Sequence, residues 1–240
     1  MTTPASSADP RPVLLLAAID IELIPVRRRL RLMPERDVWR GRLGTLNIVA
    51  AVTGIGVQRA VAVLQRLVAQ YDPSHIIDLG FAGGLDPTHH VGDVIDAAVV
   101  MNMRRDHIVL RDDKAGPTLL TADSIVGTIE RKRELFHDYA AAAVDMESFY
   151  IAQAARERQH PVTLLRAVSD DAATVLPAES ASWVTPDGRA DKAAAMRYLA
   201  CRPWHLGRML QLQKNAQHAG EKLAAAVEAK LWSLQRGTPP

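Results

Sequence analysis

Apolar positions in this chain gather into short unbroken runs separated by stretches of helical spacing. The runs at 13–18 (VLLLAA), 46–52 (LNIVAAV), 75–80 (HIIDLG), 93–101 (DVIDAAVVM) and 162–168 (VTLLRAV) have strand length and lack the strict alternation of a strand with one wet face. Strands of that kind are covered on both sides. Helical patterns fill the intervals at 57–71, 122–137 and 148–158, and a further helix is expected to open at Asp20, directly after the first run. Residues 141–150 (AAAVDMESFY) read as a buried strand running into a helix. Strands that alternate with helices predict a mostly parallel sheet between helical layers. The fold class expected is therefore α/β: a single domain of three α/β/α layers around a mostly parallel, mixed central sheet.

The last third differs in texture. Residues 170–191 are punctuated by Pro and Ser and read as a loop region, and a long helical pattern follows at 203–232. Leu206, Met209, Leu210, Leu223, Val227 and Leu231 fall at helical spacing there, as expected of a C-terminal helix packed on the sheet. No internal repeat is visible. The first twelve residues, rich in Ser, Pro and Ala, read as a frayed tail, which leaves 13–235 as the catalytic domain.

Composition narrows the function. The chain has 240 residues, 48% of them apolar, and a formal charge of +2 from scattered basic residues. That balance argues against a phosphate-tracking surface, so nucleic acid is not an expected partner. The single cysteine, Cys201, excludes an internal disulfide and fits a reducing cytoplasm. No Cys/His spacing marks a metal site. No apolar run approaches the ~20 residues that a membrane-spanning helix needs.

Candidate chemistry sits where strands end, the edge at which open parallel sheets bind ligands. Asp20 and Glu22 follow the first run, TGIG (53–56) the second, GFAGGLDP (80–87) the third, and Ser169, Asp170 and Asp171 the last. TGIG departs from a dinucleotide fingerprint, because the third glycine position holds Arg59. It reads either as a tight turn or as an anion cradle. The glycines of GFAGGLDP permit close backbone approach. Each carboxylate alone reads as a helix cap or a solvated loop residue. Glu22, Glu147 and Asp170 together can meet in one crevice, which suits chemistry on a group that becomes cationic.

AAIDIE (17–22), TGIG with Ala60 beyond it, GFAGGLDP followed by VGD (91–93), AVDMES (143–148) and RAVSD (166–170) resemble, in the same order, the purine nucleoside phosphorylase and methylthioadenosine/S-adenosylhomocysteine nucleosidase superfamily. GFAGGLDP, KRELFHDYAAAAVDMES, RAVSDDAATVLPAE and RPWHLGRML most resemble its hopanoid-associated nucleoside phosphorylases. The resemblance implies cleavage of the N-glycosidic bond of an adenine nucleoside with a bulky 5′ substituent such as adenosylhopane. Phosphorolysis leads, and hydrolysis of the nucleosidase type competes closely with it. It further implies no cofactor, inorganic phosphate as co-substrate if the reaction is phosphorolysis, a dimer or trimer of identical chains, and peripheral membrane contact if the substrate is a lipid.

By position, the resemblance makes Glu147 the ribose 2′/3′-hydroxyl ligand with Met146 beneath the sugar, Asp170 the acid toward purine N7 with Ser169 beside it, and Glu22 the carboxylate that orients an attacking water. Gly80, Phe81, Ala82 and Gly83 with Ile125 and Val126 would flank the substrate. The sequence departs where the phosphorylases carry an Arg-x-x-Ser pair: those positions are Asp78 and Phe81, which cannot bind phosphate. Thr53, Gly54, Gly56 and Arg59, with Arg27 to Arg29, remain as candidates for a phosphate or water site. The segment between Met101 and Leu119 is shorter than in the nucleosidases. A binding module without turnover and a flavodoxin-like or dinucleotide-binding oxidoreductase are the competing readings.

Overall fold

The computed structural model describes residues 11–111, 116–177, 185–189, 191, 197–198 and 202–237. Cys201 and, save for its last two residues, the expected N-terminal tail lie outside them.

The sheet is built outward from β1 (Val13–Ala17), in which every residue is buried. It runs parallel to β4 (Leu46–Val52) on one side and to β5 (His75–Gly84) on the other, and β11 (Val162–Asp170) runs parallel to β5 in turn. Side chains alternate across a strand, so β1 feeds two cores. Val13, Leu15 and Ala17 pack with Leu23 and Val26 of α1 (Asp20–Arg29) and with Leu223, Val227 and Leu231 of α5 (Leu206–Gln235). Leu14 and Leu16 pack against Leu64 and Leu67 of α2 (Val57–Tyr71) and Ile151 of α4 (Ser148–Glu157). Two faces, each under its own helical layer, give the three-layer α/β/α domain.

The sheet continues past β5 through β10 (Ala143–Asp145), antiparallel to it, and then β9 (Thr118–Thr121) and β7 (Val99–Asn102) in parallel steps. Its margins are antiparallel: β2 (Met33–Glu35) and β3 (Val38–Leu43) at one edge, β8 (His107–Val109) at the other, and β6 (Val94–Asp96) on β11.

Three expectations are corrected. The strand expected at 93–101 is two strands, β6 and β7, divided at Ala97 and Ala98, whose N–H groups donate to Leu164 and Pro117 on different neighbours. The helix expected at 122–137 is α3 (Ile129–Tyr139), because Thr128 caps it with a side-chain bond from Arg131 N. That leaves 122–128 as a loop. The C-terminal helix buries side chains only from Ala219 onward: Leu206 and Leu210 are 51% and 48% exposed.

Candidate active site

Three strand ends deliver the acids of the site. β1 runs out at Ala17, and the first turn of α1 brings back Glu22, whose carboxylate is buried and accepts from Ile19 N at 3.0 Å and Phe81 N at 2.7 Å. Gly80 is required for that approach, since a Cβ there would stand 2.9 Å from Glu22 Oε1. β10 ends at Asp145, and Met146 and Glu147 follow in the two-residue step before α4. Glu147 Oε1 accepts from Gly56 N at 3.0 Å, with Gly56 in a positive-φ conformation at +99°. At the end of β11 a bulge inserts Ser169 between Val168, paired with Ala82, and Asp170, paired with Gly83. Bulges re-aim side chains at sheet ends, and this one turns Asp170 to the same opening.

Glu22, Glu147 and Asp170 therefore line one cavity of about 270 Å³. Phe81, Ala82, Gly83, Met146 and Ser169 line it as well. Ile125 and Val126 reach it from the 122–128 loop, which is fastened to Leu176 by a bond from Leu176 N to Gly127 O. Ile19, Ser124, Val144, Asp145 and Leu176 complete the wall. Gly80 lies behind Glu22.

The TGIG loop stands differently. Gly54 N donates to Ala18 O, Ile55 N to Pro186 O and Gly56 N to Glu147, while Thr53 Oγ1 donates to backbone carbonyls. Thr53, Gly54 and Arg59 are not among the residues that line the cavity. The backbone N–H groups of Gly54, Ile55 and Gly56 are spent on the protein itself, so the loop supports Glu147 and offers an anion no free N–H at those three positions.

Burial dominates the electrostatics. It pushes Glu22 up to about 7, against the N–H of Phe81 and the charge of Arg166. It pushes Glu147 up to about 7 as well, against the Gly56 N–H and assisted by Asp145. Beneath both lies Arg166, fully enclosed, which donates through Nε to Asp145 at 2.9 Å and through Nη2 to Asp78 and Ser148 Oγ. Burial works against its charge, and the carboxylates of Asp78, Asp145 and Glu22 more than reverse that, raising it further. Asp145 is accordingly not only a cap. It receives Ser148 N and Thr121 Oγ1 and pairs with Arg166.

Asp170 is raised by burial, opposed by Lys132 and the Ser169 hydroxyl. Asp171 contributes the smallest raising influence, while its carboxylate is engaged by Thr174. Lys132 is absent from the sequence-based candidates. It sits on α3 in a run of charged residues that reads as a solvated face, yet it is fully buried with Nζ 2.6 Å from Asp170 Oδ2. Among the described residues no group of three His, Cys, Asp or Glu could hold a metal ion.

A mixed α/β/α sheet with three acids gathered at the carboxyl edge of its strands defines a class of small-molecule site, one suited to a substrate that gains positive charge. Comparison with known proteins gives the family: the sequence profile of the phosphorylase superfamily matches residues 6–118 and 114–200, and the chain belongs to it. A 5′-methylthioadenosine/S-adenosylhomocysteine nucleosidase of Staphylococcus epidermidis is 24% identical over 65% of this chain and 85% of its own. Among solved structures, the S. pneumoniae nucleosidase of the same name, bound to a transition-state inhibitor, aligns at TM-score 0.67 with 18% identity over 93% of this chain and 99% of its own. The futalosine hydrolase of Helicobacter pylori aligns at 0.61 with 18% identity over 91% and 98%. The relatives fit an enzyme that cleaves a purine nucleoside at its N-glycosidic bond.

Proposed function

We propose that the protein is a nucleosidase that releases adenine from a 5′-substituted adenosine with water as acceptor. The observation that carries this reading is the single cavity shared by Glu147, Asp170 and Glu22. Cleavage of a ribosyl–purine bond places oxocarbenium-like charge on the sugar, which an ionised carboxylate at the 2′/3′ edge stabilises. Glu147 supplies it. Asp170, whose pKa burial raises, gives its proton to N7 as the C1′–N9 bond breaks and its electron pair passes to the purine. Glu22 takes a proton from water as the oxygen bonds to C1′. Adenine and the free sugar leave, Glu22 returns its proton to solvent and Asp170 regains one. These side chains supply acid, base and electrostatic stabilisation, so the reaction needs no cofactor.

Water rather than phosphate is supported by what surrounds Glu22. The N–H groups of Ile19 and Phe81 are spent on its carboxylate, Asp78 is buried nearby, and the TGIG donors are committed. A dianion would meet the Glu22 carboxylate there with the Ile19 and Phe81 N–H groups already committed. The test is to incubate adenosine, 5′-methylthioadenosine and S-adenosylhomocysteine with the enzyme, with and without phosphate, while following adenine and the sugar product. Adenine release that is independent of phosphate, with free sugar formed, is expected; phosphate-dependent release of a sugar 1-phosphate overturns the hydrolytic step.

A large lipid at the 5′ carbon, as in adenosylhopane, is the second reading. It is favoured by Ile125, 42% exposed at the cavity, and by the exposed Trp204, Leu206 and Leu210 in the C-terminal segment, which Arg208 ties to Val175 O beside Leu176 of the wall. Faster adenine release from a micelle-borne 5′-alkyl adenosine than from methylthioadenosine would select it.

A further inference from the structure

Lys132 is a buried cation that the reading above leaves without a part. Its side chain has no solvent exposure, and the residue sits on the first turn of α3, whose N-cap Thr128 accepts Lys132 N through its carbonyl at 3.0 Å. Nζ lies 2.6 Å from Asp170 Oδ2, 2.6 Å from Asp171 O, 3.2 Å from Thr174 O and 3.3 Å from Asp170 O. One ammonium thus ties the acid to the turn that follows it. Gly83 makes room, since a Cβ there would stand 3.2 Å from Asp170 Oδ2 and 3.7 Å from the Lys132 Cε. Ser169 Oγ holds the other oxygen, Oδ1, at 2.8 Å.

The arrangement is costly if it serves only the fold. A buried ammonium held against a carboxyl group repays its desolvation poorly, and well-packed apolar residues often do as well. It has a use if the acid must change charge. When Asp170 delivers its proton, the carboxylate left behind is as deeply buried as the acid was, and an unpaired anion there would raise the barrier. Lys132 is already in contact with the oxygen on which that charge develops.

We propose that Lys132 is a positioning residue of the reaction: it fixes the Asp170 side chain through Oδ2, leaves Oδ1 with Ser169 for the purine, and stabilises the carboxylate that proton transfer creates. No bond to Lys132 forms or breaks, and the ammonium keeps its protons throughout. The inference rests on the assignment of Asp170 as the acid.

The experiment is a double-mutant cycle on adenine release from 5′-methylthioadenosine by the parent, Lys132→Met, Asp170→Asn and the double variant. Lys132→Met is expected to lower kcat by about tenfold or more with KM changed less than about threefold, and the double variant to be no slower than Asp170→Asn within about threefold. Lys132→Ala should regain turnover with added ethylammonium. Losses that multiply in the double variant, or a Lys132→Met kcat within about threefold of the parent, overturn the inference. Near-parental turnover by Asp170→Asn instead overturns the acid itself, which separates the two failures. Should the Lys132 variants not fold, the side-chain ammonium of the parent is observed by NMR in 15N-lysine protein. A solvent-protected Nζ signal that shifts on adenine binding and in Asp170→Asn supports the role, and its absence or indifference to both overturns it.

Discussion

Glu22 and Glu147 share a physical predicament. Each is a carboxylate under a protein roof, each has a backbone N–H in partial compensation, and each is pushed up to about 7 by burial. A group whose folded pKa lies above its unfolded value binds its proton more tightly in the native state. Its stabilising contribution is full below the unfolded value of 4.5 and is lost as pH rises through about 7. Glu22→Gln removes that liability. Relative to the parent, its unfolding free energy should therefore improve by on the order of 2 kcal/mol between about pH 5 and about pH 8, measured by urea denaturation at both. Turnover should move the other way. A base must be ionised, so kcat/KM in the parent should rise as pH approaches about 7 and should be cut by about 10²-fold or more in Glu22→Gln. The carboxylates were legible in the sequence because each follows an apolar run. Lys132 was not, because a lysine among Glu130, Arg131, Arg133 and Glu134 carries every mark of a solvated helix face.

Among the elements, the buried parallel strands were readable for a plain reason: continuous burial forces continuous apolar sequence, and β1, β4, β5 and β11 obey it. Edge strands are freed from that rule. β2 is exposed throughout and β8 at both ends, so neither announces itself. The bulge in β11 was equally silent, since nothing in VSDD distinguishes an inserted residue from a paired one, yet it sets the direction of Asp170. β5 tests the claim that a glycine within it serves the site. Gly80→Ala would drive a methyl to within 2.9 Å of Glu22 Oε1, displacing the carboxylate from Phe81 N. Activity should fall by about tenfold or more, while Tm moves by only a few degrees, about what 1 kcal/mol produces in a chain of this size. Thr128→Ala removes the side-chain cap of α3 and should cost about 1 kcal/mol, seen in chemical denaturation.

Across the whole molecule, the sheet acts as a jig that brings chain segments distant in sequence to one opening. The fold and the acids were expected from ordered motifs; the balance between phosphate and water was not, because it depends on which backbone donors remain free. Here the TGIG loop turns its donors inward, to Ala18, Pro186 and Glu147. Asp78, pushed up to about 6 by burial despite the pull of Arg166, adds an acid beneath the site. No described helix is long and apolar enough to cross a membrane. The measurement that bears most directly on the shared cavity is the single-turnover rate of adenine release by Asp170→Asn beside the parent. The account predicts a rate lower by about 10²-fold or more with adenine affinity retained; a rate within about threefold of the parent would contradict it.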